Sequence, residues 1–341
     1  MKSSSWMGRF AALMVGAAAV APGARAWDYD NHRVVNLLAL EALPASFPQF
    51  VREPDARERI AFLSGEADRW RNTTDFCLRH VNGPDHYFDI DYLADLGMEV
   101  GKLSRFRYEY LVEYRRAAEA HPGVLPDPGP NADKTRHLIG FLPWSLTEQY
   151  SKLKSAFSYL KVYEELGTPA EVSNARQNVV SIMGEMGHFA GDASQPLHTS
   201  KHFNGWVGAN PEGYTTNRSF HAWIDGGFTD AHPPKPEALR ALLAPAKRLT
   251  DPAKGARDEQ VFRASLEFLE RQNQRVEPLY KLDKGGKLKA AGSAEGRAFM
   301  EQDLAQGAQF LSDLWLTAWE DAHPDAFLRR SLTARKAEAK P

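Results

Sequence analysis

The chain has 341 residues, 43% hydrophobic and 25% charged, with a formal net charge of −2. That is the composition of a soluble globular protein. The charge balance argues against tight non-specific binding to nucleic acid, and Cys77, the single cysteine, excludes an intramolecular disulfide.

The first 26 residues read as a secretory signal peptide. Lys2 and Arg9 give a positive start, FAALMVGAAAVA (10–21) is too short to span a membrane, and Ala24-Arg25-Ala26 fits a small-x-small cleavage site. Cleavage there makes Trp27 the first residue and, by removing Lys2, Arg9 and Arg25, takes the formal charge from −2 to −5. The expected location is secreted or periplasmic. An exported chain without disulfides must be held by a large core or by metal. Cys77 is expected as a small buried hydrophobe.

Helical periodicity comes next, in HRVVNLLALEAL (32–43). HYFDIDYL (86–93) is the one strand-like piece. Helices follow at 150–166, stopped by Gly167, and at 170–191, ending on a glycine. The last two are expected at 261–276 and 296–322. Pro/Gly/Asn-rich stretches at 122–131, 204–214 and 232–237 read as loops. These patterns predict one mainly α domain over 27–330 and a frayed tail over 331–341.

The densest chemistry lies in HFAGDASQPLH (188–198). His188 and Asp192 are four apart, so they share one helix face. His221 and Asp225 repeat that spacing. His198 follows Pro196, where the chain has turned, and approaches from another direction. One His-x3-Asp pair is most often a solvated hydrogen-bonded pair. Two such pairs and a turn-borne histidine, in an exported cysteine-poor chain, point instead to metal ligation.

GHFAGDASQPLH resembles the signature of the zinc-dependent phospholipase C and S1/P1 nuclease superfamily. The resemblance extends over residues 27–225. It takes in Trp27 directly after the cleavage site, His32 five residues on, Asp68 in SGEADRW, and His86 in DHYFDID, followed by His188, Asp192, His198, His221 and Asp225. It implies a phospholipase C/P1 nuclease-like helical domain holding three zinc ions. Asp68, His86, His188 and Asp192 would hold one zinc. His198, His221 and Asp225 would hold a second. Trp27, through its free amino group and carbonyl, would hold the third with His32 and Asp192, which bridges two ions. On this reading an extra residue before Trp27 matters more than loss of its indole. Asp68 would also orient or deprotonate the attacking water. The products would be a phosphomonoester and an alcohol.

The resemblance leaves two substrate classes. The nuclease branch carries a Gly-Gly-Asn loop after the third motif histidine, where this chain reads TSKHFNGWVG, and eukaryotic nucleases carry disulfides. GFLPWSLTEQYSKLKSAF (140–157) and LWLTAWEDA look more like bacterial phospholipase-C-like chains. The ligand spacings, and Asp225 where the phospholipase has Glu, lean to the nuclease. Tyr87, Phe88, His202, Phe203 and Trp206 are candidate substrate contacts. The aromatics would stack a base, line a choline or acyl pocket, or pack in the core. The balance falls on a phospholipase C-like hydrolase of phosphate esters, with room for peripheral membrane contact and no stable protein partner. The alternatives are an S1/P1-type single-strand nuclease and a non-catalytic, zinc-stabilised binding module. The remaining histidines, at 80, 121, 137, 232 and 323, are expected to face solvent or cap helices.

Overall fold

The computed structural model describes residues 27–126 and 129–338, and the expected signal segment lies outside them. The described chain is mainly helical and has no named strand. Asp28 opens α1 (Tyr29–Ala42) by accepting a hydrogen bond from Asn31 N. α2 (Pro54–Leu63) starts on a proline, and α3 (Glu66–Arg71) follows almost directly. α4 (Phe76–Asn82), α5 (Asp91–Asp95) and α6 (Arg107–Ala120) then lead to the two long central helices.

α7 (Leu142–Leu166) ends at Gly167, as expected. α8 (Pro169–Ser194) begins with a capping box between Thr168 and Glu171 and with Pro169 in its first turn. Two short helices, α9 (Phe220–Ala222) and α10 (Phe228–Ala231), flank a π-helical turn at Trp223–Gly227, and α11 (Pro236–Ala241) follows. The C-terminal part holds α12 (Arg257–Asn273), α13 (Val276–Lys284), α14 (Ala294–Asp321) and α15 (Ala326–Glu338).

α8 is the centre of the packing, with α7, α14, α2 and α1 around it. Every residue from Met186 to Ser194 is buried. Three glycines let the neighbours in. A Cβ on Gly184 would lie 2.6 Å from Leu63 Cβ, on Gly187 1.6 Å from Asn36 Oδ1, and on Gly191 2.6 Å from His32 Nδ1. Asn36 donates through Nδ2 to Ile60 O and Gly184 O, so it pins α1 to both α2 and α8.

Several expectations are corrected. α8 does not stop at Gly191. It runs to Ser194 because Gly191 serves close packing, and the stop comes from Pro196, which holds Gln195 extended (φ −87°, ψ 114°). The 86–93 segment is no strand. Phe88, Asp89 and Ile90 donate backbone hydrogen bonds to His198, Ile139 and Thr199, and the chain then turns into α5. The helix expected over 261–276 ends at Asn273, and α13 follows it. The tail expected to fray is helical to Glu338, where Arg335 pairs with Glu171. Cys77 is exposed on α4, a helix with no buried residue. No helix among the described residues is long and apolar enough to cross a membrane.

Candidate metal centre

Six stretches of chain converge beside the buried end of α8. α1 brings His32, α3 brings Asp68, and the 3-10 turn Gly83–His86 brings His86. α8 brings His188 and Asp192, and the 3-10 turn Pro196–Thr199 brings His198. α9 and the π turn bring His221 and Asp225. All eight side chains are buried except Asp68, which keeps a partly exposed edge (17%). They form three groups that could each hold a metal ion: His32, His188 and Asp192; Asp68, His86 and His188; His198, His221 and Asp225.

The distances have the scale of a coordination shell. His86 Nδ1 lies 2.8 Å from His188 Nε2 and 2.9 Å from Asp192 Oδ2. His188 Nε2 lies 3.3 Å from that same oxygen. Asp68 Oδ1 is 3.9 Å from His86 Nδ1 and 3.8 Å from His188 Nε2. A tetrahedron with zinc-like arms of 2.0–2.2 Å has edges of roughly 3.4 Å, inside that spread. His221 Nε2 lies 3.1 Å from His198 Nε2 and 2.9 Å from Asp225 Oδ2. The other oxygen of Asp192, Oδ1, faces His32 Nε2 at 3.5 Å. Asp192 therefore presents its two oxygens to two different groups.

Backbone carbonyls set which nitrogen of two rings is free. His188 Nδ1 sits 2.6 Å from Ser64 O, and His198 Nδ1 sits 2.6 Å from His86 O. Each Nδ1–H donates there, which leaves Nε2 as a lone pair turned into the cluster. Polar atoms without a hydrogen-bond partner collect in the same place: both ring nitrogens of His32, Asp192 Oδ1 and Asp225 Oδ2. Unpaired buried polar atoms cost about 1–3 kcal/mol each. Metal coordination would relieve that cost, and the donors are the imidazoles and carboxylates that borderline metals take. The residues fit the group.

The charges follow from burial and from neighbours. Burial lowers the His32 ring to about 4, helped by His188. Burial and then Arg71 lower His86 to about 3 and His221 to about 3. Burial also lowers His188, but Asp192 outweighs it and the net shift is upward. Asp225 is pushed well above the usual carboxyl range by burial. Burial raises Asp68, but Arg71, His188 and His86 prevail and hold it at about 2.

Trp27 stands close by. Its indole is fully buried and donates to Ser194 Oγ at 3.3 Å, while Asp28 N donates to Asp225 O at 3.1 Å. Loss of the indole would therefore strip a core side chain and cost stability of the fold, apart from any effect on a metal site.

Among the candidate substrate contacts, Phe88 is fully buried against Tyr110 and Trp144 and cannot touch a substrate. Trp206 packs on Tyr214 and Tyr280, and His202 stacks on it with centroids 3.9 Å apart. Both serve local packing. Tyr87 is half-buried, and its hydroxyl donates to Leu138 O. Phe203 is 41% exposed, with its ring 5.9 Å from that of His221. Outside the centre, His80, His121 and His232 sit within hydrogen-bond reach of the Asp133, Ala117 and Ala290 carbonyls.

Sequence reasoning missed two residues. Arg71, one helical turn after Asp68, places Nε 2.8 Å from Asp68 Oδ1, and its charge reaches His86, His221 and Asp225. Its i,i+3 spacing in ADRWR was the available signal. Gln195, between the ligands of the central motif, touches Asp225. No family model matches the chain, and no curated protein matches it.

Proposed function

We propose that this is an exported, zinc-dependent hydrolase of phosphodiesters with phospholipase C-like preference. The observation that carries the reading is the sharing of Asp192. Its two oxygens face two donor groups while a third group, His198, His221 and Asp225, packs alongside. Eight of the nine side-chain and main-chain positions that the family resemblance implies thus offer side-chain donors to one buried cluster. The ninth, the Trp27 amino group, becomes available only on cleavage after Ala26.

Asp68, His86, His188 and Asp192 would hold one zinc, His198, His221 and Asp225 a second, and Trp27, His32 and Asp192 a third. Bound zinc would supply Lewis acidity toward phosphate oxygens and lower the pKa of water to near neutrality. The protein's own part is positional and electrostatic. Asp68 is the donor with an exposed edge, so the water attacks from its side. Asp68 would orient that water or take its proton. Arg71 offers a guanidinium beside it to a phosphate oxygen, where it stabilises developing negative charge.

A nucleic-acid substrate is the second reading. It is favoured by one observation, the exposed Phe203 ring beside His221, which suits base stacking. The test is hydrolysis of phosphatidylcholine and single-stranded DNA side by side, by protein beginning at Trp27, with chelated protein as control. Lipid cleavage alone supports the phospholipase reading, and DNA cleavage alone the nuclease. Metal bound with neither activity would point to another phosphoester substrate or to a zinc-stabilised binding module.

A further inference from the structure

We propose that Gln195 is a positioning residue that aims Asp225 and His198 at their shared metal and so sets the affinity of that one site. This inference rests on the metal-centre reading above. Gln195 is fully buried at the junction between α8 and the turn Pro196–Thr199. Each end of its amide has a different task. Oε1 accepts from Leu197 N at 2.6 Å, which caps the turn carrying His198. Nε2 donates to Asp225 Oδ1 at 2.5 Å. Because Leu197 N is a donor, the amide can only sit with its oxygen there and its NH2 toward Asp225.

The bond to Oδ1 commits one oxygen of Asp225 and leaves the other for coordination. Oδ2 lies 2.9 Å from His221 Nε2 and has no hydrogen-bond partner. Gln195 N also donates to Asp192 O at 3.1 Å, so its backbone is tied to the bridging ligand's residue. The Asp225 carbonyl is held by Asp28 N at 3.1 Å and by Asn31 Nδ2 at 2.9 Å. The backbone of the π turn is thus fixed independently, and Gln195 controls the carboxylate itself. Outer-shell partners of this kind typically change metal affinity by roughly 10–100-fold.

Gln195→Glu separates the two tasks. It keeps an oxygen for Leu197 N and places an oxygen, in place of an N–H, against Asp225 Oδ1. The test uses mature protein from Trp27, equilibrated with zinc at buffered free concentrations and analysed for metal per chain, with visible spectra of the cobalt-substituted protein. The expected result is one zinc fewer per chain where wild type is saturated, a roughly 10–100-fold weaker site, altered cobalt bands from that site, and unchanged affinity elsewhere. In an Asp225→Ala background, Gln195→Glu should add little further loss. Gln195→Met, which keeps the volume and cannot charge, should weaken the same site and covers the case of a misfolded Glu variant. Unchanged metal number and affinities overturn the proposal. So does equal loss from all sites with loss of the helical circular dichroism of the metal-free chain, which would make Gln195 a fold residue only. A wild-type chain that binds no metal overturns the centre itself, and the wild-type control identifies that case.

Discussion

Gly191→Ala isolates the His32 group without touching a donor. A Cβ at residue 191 would stand 2.6 Å from His32 Nδ1 and 2.9 Å from Cε1, against ordinary van der Waals contact at roughly 3.5 Å. The ring must retreat by about 1 Å, several times the ~0.2 Å tolerance of a metal–ligand bond. It cannot retreat freely, because it is fully buried and stacked on His188 with centroids 4.0 Å apart. Overpacking costs about 1–3 kcal/mol, while Gly to Ala inside a helix returns about 1 kcal/mol. The net change in stability of the metal-free protein is therefore about 0–2 kcal/mol. The expected outcome is loss of the metal held by His32 and Asp192, with the other sites filled and the thermal transition little moved. Elemental analysis after dialysis, beside thermal unfolding of the metal-free chain, reads both. Wild-type metal content combined with higher thermal stability would refute the reasoning, since it would mean that the His32 ring has room to move.

Asp192→Asn should remove at least two metals per chain and lower phosphodiesterase activity by more than about 100-fold, beyond what loss of an outer-shell partner costs; full activity would sink the shared-carboxylate scheme. One residue added before Trp27 should empty one site and leave the fold intact, whereas Trp27→Ala should destabilise the whole chain by about 3–5 kcal/mol; unchanged zinc content in the extended protein would count against a ligating amino group. Metal uptake at pH 6 should release protons from the Trp27 amino group, which is charged there when unbound, and from His188 and Asp225, whose proton affinities are raised in the metal-free protein. His32, His86 and His221, held neutral at about 3–4, should contribute none. The sign is that binding weakens as pH falls, and calorimetry in buffers of different ionisation enthalpy counts the protons; uptake independent of buffer would contradict it.

The central motif was legible because i,i+4 spacing on one helix fixes where side chains point, and His188 and Asp192 are where that rule puts them. The mainly helical class was legible from periodicity for the same reason. Geometry created between distant segments was not. Gly191 reads locally as a helix stop, and only the approach of His32 from α1 reveals its use. The π turn that aims Asp225 has no local signature, and the His221 pair alone gives no hint of it. Phe88 beside His86 looked available to a substrate because alternation in HYFDIDYL says nothing about which loops cover it. Cys77 was misplaced because residue type predicts burial only on average, and α4 buries none of its side chains.

The donors are spread from His32 to Asp225, and two of the three groups join segments far apart in the chain. Closing loops of that length is entropically costly before any contact rewards it. The α1, α2 and α8 helices must therefore pack, through Gly184, Gly187 and Gly191, before the donors can meet. A metal would then arrive as the last clasp and not as the first seed. The metal-free chain should then keep its helices and lose only the order of the donor side chains, so metal would tune the site without deciding the fold.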